Sequence, residues 1–326
     1  MRQPVFCRRR VSRAGKALMS SRKKARRVLL GSLLAVFGVQ TSARAGIIFA
    51  TTLQDDSIVS IDTSTNSVTK IVDASSPDSM IFLNHDTILY TDYFGGNLRS
   101  LNLTTGSDTV LVSGLLRPVD LILDPGGRSL LVTEQFGDKI DRVDLSTNTL
   151  ATFADTGANP GGLAYDSSGN LFAITDRFGT ISQLNPTTGA TLKIASLSFG
   201  TDGLTFDSFT GKLYATAEAS DDVWSINPTN LAATLLVNGS IPSPDGITSD
   251  GQGNLFIAGL NSNLFQYDLV AKTLTEGAAV PGLDDPAPAS GPGSLGTVPE
   301  PASLTLVAMG LLGLLGGRWR PRRLHK

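Results

Sequence analysis

Three aspartates, Asp78, Asp202 and Asp245, occupy one position of a repeated unit, each just ahead of a short apolar segment. Carboxylates that converge from several units supply the hard oxygen ligands that Ca2+ prefers. Asp120 lies one place off that position, and two units carry only Val119 and Gly161 there. The same aspartates can equally do no more than shape the loop that enters each strand. A second set places an acid beside an aromatic ring: Asp92 with Phe94, Glu134 with Phe136, and Asp176 with Phe178. Rings that stack and carboxylates that accept hydrogen bonds make a binding rim for a sugar or a peptide. The alternative is that each phenylalanine packs between neighbouring units, because such packing also repeats.

The elements that must position these residues follow from a period of about 41 residues. An apolar residue followed by Asp or Asn recurs as Ile61-Asp62, Leu101-Asn102, Val143-Asp144, Leu184-Asn185, Ile226-Asn227 and Tyr267-Asp268, at spacings of 40, 42, 41, 42 and 41. Stacked units of this length are the signature of a β-propeller. The third unit reads as four strands: Pro118 to Asp124, Ser129 to Thr133, Lys139 to Asp144 with period-two alternation, and Thr149 to Phe153. Four antiparallel strands A to D make one blade. The connecting turns are rich in Asp, Asn and Gly, which cap their own backbone or take positive φ. Most of the acidic residues are therefore turn chemistry. The fold expected is all-β, a six-bladed propeller over 46–285. The first unit lacks its strand A and begins at strand B, Ile47 to Thr51. Left so, the blade has an open edge. The expected donor of the missing strand is the stretch from Ala278 to Ala289, although Asp284 to Ala287 is proline-rich.

Charge and composition exclude several functions. Residues 46–298 hold ten Lys and Arg against 28 Asp and Glu. A surface this acidic argues against nucleic acid and favours cations or basic partners. The one cysteine is Cys7, so the exported domain has no thiol nucleophile and no disulfide. His85, the one histidine in the repeats, sits in a turn and builds neither a triad nor a zinc site. The glycine-rich spots are hairpins rather than strand-to-helix phosphate loops.

Both ends read as addresses. Residues 1–27 carry eleven Lys and Arg and no acid; an apolar run, Val28 to Val39, and Ala43-Arg44-Ala45 follow. This is a signal peptide over 1–45, expected to form a helix and to be cleaved between Ala45 and Gly46. Met19 is an alternative start. At the other end, a flexible linker over 286–297 precedes Pro299-Glu300-Pro301, an apolar segment over 304–317 and a basic cluster up to Arg323. The apolar segment is expected to be a short membrane-spanning helix, with the basic cluster held in the cytoplasm.

Two resemblances add to this reading. Pro244-Asp245-Gly246-Ile247, Asp250-Gly251-x-Gly253-Asn254-Leu255-Phe256 and Gly169-Asn170-Leu171-Phe172 resemble the NHL-type and gluconolactonase-like six-bladed propellers. Members of the latter place metal ligands at the channel, which implies Asp78, Asp202 and Asp245 as ligands here. Their usual set mixes Glu, Asn and Asp, whereas this chain offers only Asp. The tail over 298–323 resembles the PEP-CTERM sorting signal of Gram-negative bacteria. That resemblance implies handling by exosortase, a membrane protease, and delivery to the envelope, cell surface or extracellular matrix. Three functions are consistent with these features: a non-enzymatic surface or matrix protein that binds exopolysaccharide or a surface protein, a Ca2+-dependent lactonase or hydrolase, and a structural matrix component.

Overall fold

The computed structural model describes residues 46–175, 179–260 and 262–288. The signal peptide, the sorting tail and the helices expected in them lie outside these residues. Blade one contains β1 (Ile47–Thr52), β2 (Ser57–Asp62) and β3 (Ser67–Asp73). Blade two is β4 (Pro77–Asn84), β5 (Thr87–Asp92), β6 (Asn97–Asn102) and β7 (Asp108–Ser113). Blade three is β8 (Pro118–Leu123), β9 (Ser129–Glu134), β10 (Lys139–Asp144) and β11 (Thr149–Asp155). Blade four is β12 (Pro160–Tyr165), β13 (Leu171–Thr175), β14 (Thr180–Leu184) and β15 (Thr191–Ser196). Blade five is β16 (Leu204–Asp207), β17 (Lys212–Ala217), β18 (Asp222–Ile226) and β19 (Ala233–Val237). Blade six is β20 (Pro244–Ser249), β21 (Asn254–Gly259), β22 (Asn263–Asp268) and β23 (Thr273–Ala279). The last strand, β24 (Leu283–Pro288), pairs with β1 and completes blade one, in the order β24-β1-β2-β3. The chain is thus a six-bladed propeller of four-stranded antiparallel blades.

The repeat earns its period at the turn between strands C and D. In all six copies the marker Asp or Asn accepts a backbone N–H two residues on: Ser64 at 2.8 Å, Thr104 at 3.0 Å, Ser146 at 2.8 Å, Thr187 at 2.9 Å, Thr229 at 2.8 Å and Val270 at 2.8 Å. A side chain that mimics a backbone turn fixes the hairpin, which accounts for the persistence of this position. The A–B turns use Asp166 and Asp250 in the same way.

Burial falls from the inside out. Strand B is buried along most of its length in every blade, while the outer strands β3 and β15 are almost wholly exposed. The apolar residues form six clusters, and each joins two neighbouring blades. Ile48, Ala50 and Ile61 of blade one pack on Phe256, Ala258 and Leu264 of blade six. Phe172 and Ile174 of blade four pack on Leu213 and Ala215 of blade five. No blade can bury its faces alone, so a missing blade edge exposes a seam.

The closing strand runs to Pro288, three residues beyond the boundary expected from composition. Prolines suit it because strand A is the inner edge of each blade and needs ladder bonds on one side only. Pro286 lies opposite Ala50, and Leu283, fully buried, lies opposite Thr52. This pairing also sets the exits. Gly46 and Pro288 lie at one end of the β1–β24 pair, and Thr52 and Leu283 lie at the other.

Truncation after Gly282 should destabilise the propeller by about 3 kcal/mol or more, because it removes buried Leu283 and strips β1 of its partner. Truncation after Pro288 should leave stability unchanged. Urea unfolding followed by circular dichroism compares the two; equal stabilities would mean that β24 does not close the ring.

Candidate functional site

Strand A starts with a bulge in most blades. Pro77 pairs with Asp92 and Met80 with Tyr90, so Asp78 and Ser79 together face Thr91. The same shift occurs at Val119-Asp120, Gly161-Gly162 and Asp245-Gly246. A bulge turns two consecutive residues out of the ladder, here toward the channel. Asp120 therefore joins the channel wall although it is one place out of register, which corrects its exclusion on alignment. The closing strand adds two acids that sequence reasoning did not count, Asp284 and Asp285. The mouth of the channel is a cavity of about 330 Å³ lined by seven acids, Asp78, Asp120, Asp202, Glu218, Asp245, Asp284 and Asp285, and its lining includes no Lys, Arg or His. The opposite end is a cavity of about 980 Å³ walled by Leu83, Leu123, Tyr165 and Phe206, with Asp124, Asp166 and Asp250 of the A–B turns also in its lining.

A buried threonine on strand B holds the start of strand A in four blades. Thr91 Oγ1 accepts the N–H of Ser79 at 2.9 Å, Thr133 Oγ1 that of Asp120 at 3.0 Å, Thr216 Oγ1 that of Gly203 at 2.8 Å, and Thr51 Oγ1 that of Asp285 at 2.9 Å. Ile174 and Ala258 take this place in blades four and six, where the bulge contains Gly162 and Gly246. Thr51 and Thr216 also donate across the seams, to the carbonyls of Asp78 and Asp245. Asp120 binds both of its neighbours: Ser79 Oγ donates to Oδ1 at 3.1 Å and Leu163 N–H to Oδ2 at 2.6 Å. Gly162 N–H donates to Asp202 O at 2.7 Å. At the seam between blades six and one the contact is between acids, the carboxyls of Asp245 and Asp284; Asp245 also meets Asp202 of blade five. Asp285 fills the space beside Gly246, where no Cβ would fit.

Burial pushes these carboxyls up. Asp120 rises to about 7, against the pull of its donors Leu163, Leu121 and Ser79. Asp78 is raised well above the ordinary range by burial, then by the charges of Asp285, Asp245, Asp202 and Asp120. Asp245, Asp284 and Asp285 are raised for the same reasons, burial first and a neighbouring aspartate next. Like charges in one desolvated site cannot all ionise, so the ring retains protons. Among the described residues no three His, Cys, Asp or Glu side chains are disposed to hold a metal ion. The acids line a cavity and bind one another and the backbone. They do not converge as calcium ligands.

The aromatic rim divides into two parts. Phe94 and Phe136 are 63% and 65% exposed, so they do not pack between blades. Their acidic neighbours turn inward. Asp92 accepts Gly95 N–H at 2.8 Å and Asn97 Nδ2 at 2.9 Å. Glu134 accepts Leu116 N–H at 2.7 Å and pairs with Lys139 at 3.0 Å. Both acids cap the base of a B–C loop, and neither is free to bind a ligand. In their place Arg117, missed in the sequence, lies over the rings of Tyr93, Phe94 and Phe136 at 4.6, 4.4 and 5.9 Å. Asp176 and Phe178 lie outside the described residues. The outcome is an exposed ledge of Phe94, Leu116 and Phe136 over a half-buried Arg117, which reaches the channel mouth through Tyr93 and Gln135, joined at 2.9 Å.

Residues 297–323 match the PEP-CTERM protein-sorting motif. The chain carries an export signal. The motif is one associated with exosortase processing and with delivery to the cell envelope or surface. Its residues Pro299, Glu300 and Pro301, like Ala45 at the expected signal cleavage, lie outside the described residues. No curated protein matches the chain in sequence. Among solved structures, one chain of a nidogen/laminin complex is similar over 74% of this chain and 97% of its own, at 21% identity and a TM-score of 0.63. Virginiamycin B lyase from Staphylococcus aureus is similar over 72% and 82%, at 14% identity and 0.55, and a streptogramin B lyase over 73% and 80%, at 16% and 0.56. At these identities the likeness is one of fold.

Raised carboxyl pKa values carry a definite sign. The fold favours the protonated acids, so their stabilising contribution is complete below about pH 4 and is lost as pH rises through about 7 for Asp120 and higher for the others. The melting temperature should fall by roughly 5 °C or more between pH 5 and pH 8.5. Asp245→Asn should melt higher than the parent at pH 8.5 and show a shallower slope. A parent slope of the opposite sign would mean that the ring is ionised and externally neutralised. Separately, Thr133→Val should cost about 1–3 kcal/mol by leaving the Asp120 N–H unpaired, as measured by urea unfolding.

Proposed function

We propose that this is a non-enzymatic binding protein of the cell surface or extracellular matrix, handled by an exosortase, whose ligand seats on the face that carries the acidic channel mouth. The ledge beside that mouth carries the reading. Large apolar side chains clustered in the open beside a cavity mark an interaction site, and an arginine over aromatic rings is a common anchor in such sites. The position of Gly46 and Pro288 supports it: both lie at the end of the propeller opposite the mouth. The ligand is an envelope polymer, either exopolysaccharide or a surface protein. The nidogen/laminin complex is a case in which a similar fold occurs in an assembly of proteins.

The hydrolase alternative has one observation in its favour, an aspartate at about 7 in a cavity, where a general acid or base is most effective. Asp120 is poorly placed for that task, because both of its oxygens already accept hydrogen bonds that join blades two, three and four.

Glycan and surface-protein arrays probed with the full chain test the reading. The double substitution Phe94→Ala and Phe136→Ala should weaken binding at least about tenfold. It should leave the melting temperature unchanged, since both rings are exposed. Binding that survives it would remove the ledge from the site, and silence on every array would leave the structural matrix role.

A further inference from the structure

The far end of the channel has no part in the surface-binding reading, and its walls are the reverse of the mouth. In blades two to five strand A carries a large apolar residue near its end, Leu83, Leu123, Tyr165 and Phe206. Each is half-buried and walls the cavity of about 980 Å³. That volume is at the upper end of the range for ligand pockets, ~300–1,000 Å³, and apolar and aromatic walls are what such pockets use. Walls of this kind hold water poorly and take apolar molecules instead.

Two features define what the apolar molecule must carry. The hydroxyls of Tyr90, Tyr93 and Tyr214 are hydrogen-bonded, whereas that of Tyr165, in the cavity wall, has no partner among the described residues. Asp124, Asp166 and Asp250 stand in the same lining, which contains no Lys, Arg or His. Each of these acids accepts a backbone N–H of its own turn, at 2.9, 2.8 and 2.7 Å, and none forms an ion pair among the described residues. Arg142, whose charge acts on Tyr165 as that of Asp124 does, is tied instead to the carbonyls of Pro186 and Thr187, at 2.6 and 3.2 Å. A positively charged head group is attracted to such a rim and a carboxylate is repelled.

We propose that the far end of the channel binds an amphiphile with one alkyl chain and a cationic head, of the long-chain amine class. The chain lies among Leu83, Leu123 and Phe206. The head stays at the rim beside the acids, where its ammonium donates to the Tyr165 hydroxyl. This site is separate from the ledge, which lies at the other end of the channel.

Calorimetry on the full-length protein at pH 7 tests this with hexyl-, octyl- and decylamine below their micellar range. Octylamine should bind saturably, and affinity should rise roughly fourfold for each added methylene until the cavity is full. Octanoate should bind at least about tenfold more weakly than octylamine. Thr205 lines both this cavity and the mouth, so Thr205→Trp should fill the space and abolish binding. Tyr165→Phe, which keeps the ring, should weaken octylamine binding about tenfold and decides the matter if Thr205→Trp does not fold. The Phe94→Ala, Phe136→Ala variant should bind octylamine as the parent does. Octanoate bound as tightly as octylamine, or affinity indifferent to chain length, would overturn the proposal. So would binding that survives in folded Thr205→Trp, which would assign the alkyl chain to the apolar runs at 28–39 and 304–317 instead.

Discussion

The hydrogen bonds that ring the channel mouth are the constraint from which the rest of the structure follows. Most blades contribute a bulged strand start, and each seam but one is crossed there by a bond to a backbone group or to Asp120. Thr51 and Thr216 reach carbonyls of the next blade, Asp120 joins three blades, and Gly162 donates to Asp202 O at 2.7 Å. These bonds satisfy backbone groups that the bulge removes from the ladder, which no buried strand can leave unpaired. They also fix which residues face the channel. The acid ring is thus a by-product of geometry in its position, and a matter of sequence choice in its chemistry.

That choice is strained at one place. Five seams are closed by donors matched to acceptors, whereas the seam between the last blade and the closing strand brings carboxyl to carboxyl. Burial raises both Asp245 and Asp284, and the charge of a neighbouring aspartate raises each further. A structural role alone would be served as well by Asn, which donates and accepts without a charge.

Much of the architecture was legible because turns constrain residue type more tightly than strands do. Asp62, Asn102 and Asp144 cap their own turns, and only Asp or Asn does so at that place. The closing strand was legible as an absence, since an unpaired β1 demands a partner. Its extent was not, because Pro286 and Pro288 read as linker unless strand A is known to be an inner edge. Asp120 was missed because a bulge sets two residues opposite one, so either can carry the acid. The clamp at Thr51, Thr91, Thr133 and Thr216 follows the period, but a threonine in a strand also reads as ordinary β-propensity. The exposure of Phe94 and Phe136 was undecidable from spacing, since a binding rim and inter-blade packing repeat alike.

The exits and the mouth belong to opposite faces, and this follows from strand parity alone. Strand A runs away from the mouth, so a propeller that ends on a closing strand A must release its C-terminus on the far face. Strand B runs toward the mouth, so a chain that starts on strand B must enter from that same far face. Any arrangement in which the end strand closes blade one from inside therefore places both termini together, Gly46 beside Pro288 across the β1–β24 pair. Placing the acid ring at the start of strand A rather than at its end is what sets it on the face opposite Gly46 and Pro288.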